Sequence, residues 1–190
     1  YTAVVLDFET GGLNCVDCAC TQLAMQAVRL DNWTVLERYA KYIAPYRKLD
    51  IGGAPKRKVL KTRQALVQEE AGMSMKYEPV ALTYSAITMD MLYNQGVDLK
   101  EVAQDVIEFG KRNTLSKGQQ YKPILIGQNI TFDIGFLQQL IAYAGLMPEF
   151  EKVFAGKVDF YGNFQPHYVD TIDLGRFAFA HLPDVTSYKL

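Results

Sequence analysis

The stretch Thr2-Ala-Val-Val-Leu-Asp-Phe-Glu-Thr-Gly-Gly-Leu13 decides the fold. Residues 2–8 are a short, β-rich apolar run, the pattern of a buried strand. Gly11-Gly12 then breaks it. Side chains two apart on a strand point the same way. Asp7 and Glu9 therefore project together while Phe8 faces the other side. Neighbouring carboxylates repel each other, so a folded chain keeps such a pair where something positive offsets it. Divalent cations that prefer oxygen, Mg²⁺ and Mn²⁺, are the usual partners. Alone the pair is a weak signal, because strand ends often carry acids where they meet water.

Outward from this strand, Leu23–Leu30 and Trp33–Ile43 read as two more strands, with Asp31-Asn32 as a hairpin turn signal and Pro45 as the end of the unit. Pro55 can open a helix to about Ala71, with Gly72 as its stop. Thr88 can cap the short turn Thr-Met-Asp-Met-Leu. Asp98 and Glu101 form a capping-box-like start, and Leu99, Val102, Val106 and Ile107 follow at helical spacing. Residues 113–118 are a polar loop, and Pro123-Ile-Leu-Ile-Gly127 is a short strand. A helix from about Thr131 to Ala144 carries Phe132, Phe136, Leu140 and Tyr143 down one side, with Gly145 as its C-cap signal. Residues 146–167 show little periodicity. Tyr168-Val169 is a short strand, and Asp170 with Asp173 can cap the helix after it. This order predicts an α/β fold, a mixed sheet with helices packed on it.

The chain has 190 residues, 49% hydrophobic and 22% charged, with a net charge of −1. Those values fit one soluble domain of about 190 residues and exclude a global polycation. No apolar run approaches the ~18 residues of a membrane span. The first strand begins at once at Thr2, so no secretory leader is expected, and the first residue is Tyr1 rather than Met. Cys15, Cys18 and Cys20 are an odd count in one loop, which argues against a secreted disulfide framework and for a reducing cytoplasm. Their C-x-x-C spacing suits zinc, but a closed site wants four ligands, and His167 and His181 are far away. Reduced thiols in a loop are the preferred reading.

Between Pro45 and Arg63 stand seven bases (Arg47, Lys48, Lys56, Arg57, Lys58, Lys61 and Arg63) and one acid, Asp50. The local balance is +6, which leaves −7 for the remainder. Such a stripe can contact phosphates. A solvated helix face in a surface insertion, around residues 46–80, is the reading preferred over it.

The second acidic feature is Asn129-Ile-Thr-Phe-Asp-Ile-Gly-Phe-Leu137. Asp133 stands in an otherwise apolar run between Phe132 and Ile134. A carboxylate there is costly unless it is paired or bound to metal. Its competing role is a capping acid in the first helical turn.

Together, D-x-E-T-G-G-L at Asp7–Leu13 and N-x-x-F-D-x-x-F-L at Asn129–Leu137 resemble the DEDD exonuclease superfamily. The likeness is to its DnaQ-like branch, which includes the proofreading epsilon subunit of bacterial DNA polymerase III and ribonuclease T. Tyr84-Ser-Ala-Ile-Thr88 with Met89-Asp-Met-Leu92 is similar to that branch's I-T-x-x-M-L segment near substrate, and Val169-Asp-Thr-Ile-Asp-Leu174 to the step before its last motif. The resemblance implies a ribonuclease H-like fold with a five-stranded mixed sheet. It also implies a 3′–5′ exonuclease that releases nucleoside monophosphates from single-stranded DNA or RNA 3′ ends. By the same likeness, Asp7, Glu9 and Asp133 would hold two divalent cations about 4 Å apart, Mg²⁺ or Mn²⁺. Main-chain amides around Thr10, Gly11 and Gly12 would approach the terminal nucleotide. Leu13 and Ile87 would pack against its base, and Asn129 and Phe132 would touch substrate or position the helix. A DNA polymerase subunit is a further partner that the family suggests.

The branch also has a fourth carboxylate and a general base in an H-x-x-x-x-D motif on one more helix. His167 lies three residues before Asp170, and His181 three before Asp184, so neither pair has that spacing. The chain is therefore expected to stop before its last helix at Leu190, and this piece to be weak or inactive. General acid–base help is worth about 10²–10⁴ in rate. One alternative is a non-catalytic nucleic-acid-binding or polymerase-associated module on the same fold. Another is an aspartyl-phosphate phosphatase, which the Glu9 of D-x-E and the lack of a partner lysine motif disfavour.

Overall fold

A computed structural model describes residues 1–49 and 62–188. Strand β1 spans Thr2–Thr10, β2 Cys20–Arg29 and β3 Val35–Tyr42. Helices α1 (Arg63–Gly72), α2 (Pro79–Ser85), α3 (Met89–Gln95) and α4 (Leu99–Arg112) follow. After them come β4 (Ile124–Gly127), α5 (Ile130–Ala144), α6 (Met147–Val153), β5 (Gly156–Val158), β6 (Phe164–Pro166), β7 (Tyr168–Asp170) and α7 (Thr171–Phe179). The main sheet has the order β3-β2-β1-β4-β7. β1 pairs antiparallel with β2 and parallel with β4, and β4 pairs parallel with β7. The result is the expected α/β architecture: a mixed five-stranded sheet flanked by helices.

Alternation along β1 buries Val4, Leu6 and Phe8 against α4 and α5. The helices meet this face through Val102, Val106 and Ile107 on one side and Phe136, Leu137 and Leu140 on the other. Each such side chain contributes about 1.5–3 kcal/mol on leaving water. Asp7, Ala24 and Ala40 stand in register across β1, β2 and β3 on the opposite, open face.

Local signals set most boundaries. Thr88 accepts from Met91 N and caps α3, and Asp170 accepts from Ile172 N and caps α7. Gly145 ends α5 in the left-handed region, φ +72°. Asp98 caps α4 through Lys100 N, but Glu101 does not close the capping box; it lies 3.8 Å from Lys41 instead. The hairpin at Asp31-Asn32 is longer than the two-residue signal suggests, because Trp33 takes φ +61° and Arg29 N reaches Thr34 O. Residues 146–167, aperiodic in sequence, contain α6 and the small β5–β6 hairpin. Both are too short to show a period.

The helix read from Pro55 to Ala71 is described only from Arg63, and most of the basic stretch lies outside the described residues. Its downstream flank is docked on the main body. Lys76 N donates to Asp17 O, Ala19 N to Lys76 O, and Met75 is buried. The cysteine loop beside it is held by buried Gln139, which donates to Cys15 O and Cys18 O and accepts from Tyr46. All three thiols are free, and burial pushes Cys20 up to about 12, so it is an inert core residue. No helix among the described residues is long and apolar enough to cross a membrane.

Candidate active site

β1 outruns its neighbour. Its parallel ladder with β4 ends at Val5 and Ile126, so the N–H groups beyond have no strand partner on that edge. Asp133, in the first turn of α5, fills the gap: its Oδ1 accepts from Phe8 N at 2.9 Å. That bond fastens the helix to the strand between Asp7 and Glu9. Asp133 is 3% exposed, whereas Asp7 is exposed and Glu9 partly so. Three carboxylates from segments 125 residues apart thus gather at one end of the sheet.

Their electrostatics show the crowding. Burial raises Asp133 to about 6, and the charges of Asp7 and Glu9 push it the same way; the Phe8 N–H opposes them. Burial also raises Asp7, and Glu9 rises through burial and then through the charge of Asp7. Among the described residues, no cation is placed to lower Asp7, Glu9 or Asp133. Oxygen-only donors of this kind suit hard divalent ions. Among the described residues, however, no three His, Cys, Asp or Glu side chains are disposed as a ready metal-binding group. The carboxylates form an electrostatic cluster whose donor chemistry fits such ions, without a closed cage.

Beside the cluster lies a groove of about 560 Å³. Asp7, Glu9, Thr10, Gly12, Leu13 and Phe132 line one side, all of them residues the sequence had singled out. Phe132 lies 5.0 Å from Phe136, ring centre to ring centre, so it joins the groove to the core. Leu13 is 84% exposed. Glu78, Val80, Ala81 and Tyr84 form the other wall, and Tyr84 is 93% exposed. A polar floor with apolar and aromatic walls suits a base and its phosphate.

Other expected contacts are arranged differently. Ile87 is buried, because Ala86 turns left-handed (φ +56°) at the end of α2 and sends the chain inward. Core packing is thus its role, and Tyr84 takes the wall. The Gly11 amide is committed to Ala19 O at 2.8 Å, and a Cβ there would collide with Lys76 O. Glycine at this position makes room for the backbone of Lys76 and Tyr77. Asn129 adopts φ +52° without a side-chain cap; its N–H donates to Asp170, so it aims the start of α5 and does not line the groove. In the sequence, only the resemblance of Tyr84–Leu92 to a segment near substrate points to this wall; α2 buries none of its seven residues and shows no apolar period, and Pro79 at its first turn was the available local signal.

No family model matches the chain. Solved structures do. E. coli Exonuclease I in complex with a dT13 oligonucleotide aligns with 99% of this chain at a TM-score of 0.63 and 16% identity. The fold is shared. An ExoI/SSB-Ct complex aligns with the whole chain (TM-score 0.62, 16% identity), and apo Exonuclease I with 99% of it (0.62, 16%). This chain spans about a third of the length of those structures, 32%, 32% and 33% respectively. A zinc-bound form and a metal-free form of the E. coli ExoI–ssDNA complex are also similar, at TM-scores of 0.62. The sheet and its helices therefore have the exonuclease, ribonuclease H-like arrangement.

Proposed function

We propose that this chain is the core of a metal-dependent 3′–5′ exonuclease acting on single-stranded 3′ ends. One observation carries the reading: Asp7, Glu9 and Asp133 converge at the end of β1, beside an aromatic-walled groove, in a fold shared with Exonuclease I. Asp7, Glu9 and Asp133 would hold two divalent cations, which when bound stabilise the attacking and leaving oxygens of phosphoryl displacement. Leu13, Phe132 and Tyr84 receive the terminal base by apolar contact and stacking, which gives little sequence preference. Thr10 closes its loop by donating to Gly12 O at 2.8 Å and so shapes the groove floor.

DNA is the first substrate to test, since similar structures hold dT13 and dA16. A general base is not supplied near the cluster by the described histidines. His167 precedes β7 at the far end of the sheet, and His181 lies in a turn after α7. The decisive assay is release of nucleoside monophosphate from a 3′-labelled single strand by the full-length protein, with Mn²⁺ or with EDTA. Metal-dependent release that Asp7→Ala and Asp133→Ala abolish supports the reading. Equal rates for all three proteins would overturn the site.

A further inference from the structure

The end of the sheet away from the carboxylates carries a different surface. Lys122 stands two residues before β4, whose Ile124 pairs with Ala3 near the start of β1. At about 3.3 Å per residue, Asp7 and Glu9 lie roughly 20 Å away along the strand. Two adjoining grooves, about 560 and 470 Å³, share Lys122 and Lys152. Lys111 and Lys117 complete the first, and Lys157 lies in the second. Among the described residues, Glu151 is the one acid that lines these two grooves. Lys111 is paired with Glu108, and Lys122 donates to Glu151 O. Lys117, Lys152 and Lys157 have no acidic partner among the described residues, and all three are exposed.

The β5–β6 hairpin rises from the same place, since Gly156, Lys157 and Val158 line the second groove. Its tip holds Phe160 and Tyr161, 97% and 84% exposed, with ring centres 5.5 Å apart. Neither ring packs on the core, yet the tip is braced. Asp159 Oδ1 accepts from Tyr161 N and Asn163 N, both at 2.9 Å, and Oδ2 accepts from the Gln165 amide at 3.1 Å. Asp159 N donates to Asn163 O, and Gly162 takes the left-handed turn, φ +84°. A pair of large rings held rigidly in water costs hydrophobic free energy unless something covers it.

Lysines beside bare aromatic rings are what a single-stranded nucleic acid requires: cations for the phosphates and flat faces for unpaired bases. We infer that Phe160, Tyr161 and the lysines 117, 152 and 157 form a second binding surface for single-stranded nucleic acid, separate from the carboxylate groove. An acidic peptide would use the same lysines but has no flat bases for two braced rings, so the nucleic acid is favoured. The surface would hold a strand remote from the 3′ end without taking part in hydrolysis.

The test is oligonucleotide binding in EDTA, which separates it from catalysis. Fluorescence anisotropy of labelled oligo-dT should show at least about tenfold weaker binding for Phe160→Ala with Tyr161→Ala. Lys152→Glu with Lys157→Glu should weaken binding similarly and flatten its salt dependence by about 0.7 per lost phosphate contact. Phe160→Trp in a Trp33→Phe background reports directly: its emission should be quenched as oligo-dT is added. Unchanged affinity of both double variants together with unquenched emission would overturn the inference, as would quenching by poly-glutamate but not by oligo-dT. Tyr84→Ala serves as the groove control. If it alone weakens binding, the strand uses only the groove, and the second surface is wrong while the exonuclease reading stands. If 3′ release fails but hairpin quenching persists, the reverse holds.

Discussion

The two ends of the central sheet handle charge in opposite ways. At one end, Asp133 is 3% exposed, its neighbours Asp7 and Glu9 sit close enough to raise it, and Asp7 raises Glu9. At the other, Lys117, Lys152 and Lys157 are exposed, and their contribution to stability is small. Charge that is desolvated at a cost to the fold is the kind that chemistry uses. Charge left in water, beside exposed rings, is the kind that binds a polyanion reversibly. On the proposed reading, one end of the sheet reacts and the other retains the strand, and each can be attacked separately.

The largest effect should come from the acidic end. Asp7→Ala in the full-length protein should cut metal-dependent release of nucleotide by about 10³-fold or more, as expected when several kcal/mol of charge stabilisation are removed. The same variant should bind oligo-dT through the hairpin in EDTA as wild type does. Loss of both properties together would dissolve the distinction between the ends.

Next comes the pH dependence of folding. Asp133 is raised from 3.8 to about 6, so the folded chain holds its proton more tightly than the unfolded chain. Without metal, stability should fall as pH rises from about 4 through about 6, by up to about 3 kcal/mol. Urea unfolding in EDTA at pH 4.5 and pH 7 measures this, and Mg²⁺ or Mn²⁺ should return part of the loss at pH 7. Asp133→Asn keeps an acceptor for Phe8 N, so it should remove the pH slope and the metal response together. A wild-type curve flat between those pH values would mean that the carboxylate is less burdened than its burial implies.

A smaller change is expected at the groove wall. Tyr84→Ala should raise KM by about 5–10-fold with little change in kcat, because stacking on one ring is worth ~1–3 kcal/mol in binding. The smallest concerns the thiols. Cys15, partly exposed, should react with iodoacetamide in the native protein, whereas Cys20 should react only after unfolding. Mass spectrometry of the alkylated chain checks both.

Sequence alone showed much of the acidic end and little of the basic one, for reasons of length and distance. β1 and α5 are long and periodic, so the shared face of Asp7 and Glu9 and the apolar setting of Asp133 could be read from spacing. The clamp from Asp133 to Phe8 spans 125 residues and leaves no local trace. α2 buries nothing, and β5 and β6 have three residues each, so neither the α2 wall nor the Phe160 tip has a periodic pattern, and Tyr84 was pointed to only by the resemblance of Tyr84–Leu92 to a segment near substrate. Ile87 shows the opposite error: a left-handed Ala86, invisible in a motif, turns an expected contact residue into core.

The register shift between Glu9 and Thr10, where β1 passes the start of β2, has a consequence for how the protein can change. A bulge absorbs an extra residue without sliding the strand behind it. Asp7 and Glu9 thus keep their positions whatever happens further along. Gly11 and Gly12 are wedged against Lys76 and Cys18, and Cys15 is tied to Gln139, so the exposed Leu13 is the least constrained residue of the loop. Insertions there would reshape the groove's rim while the carboxylate spacing stays fixed. On the proposed exonuclease reading, preference for one nucleic acid over another can drift at that position across generations, with the carboxylate geometry insulated from the drift.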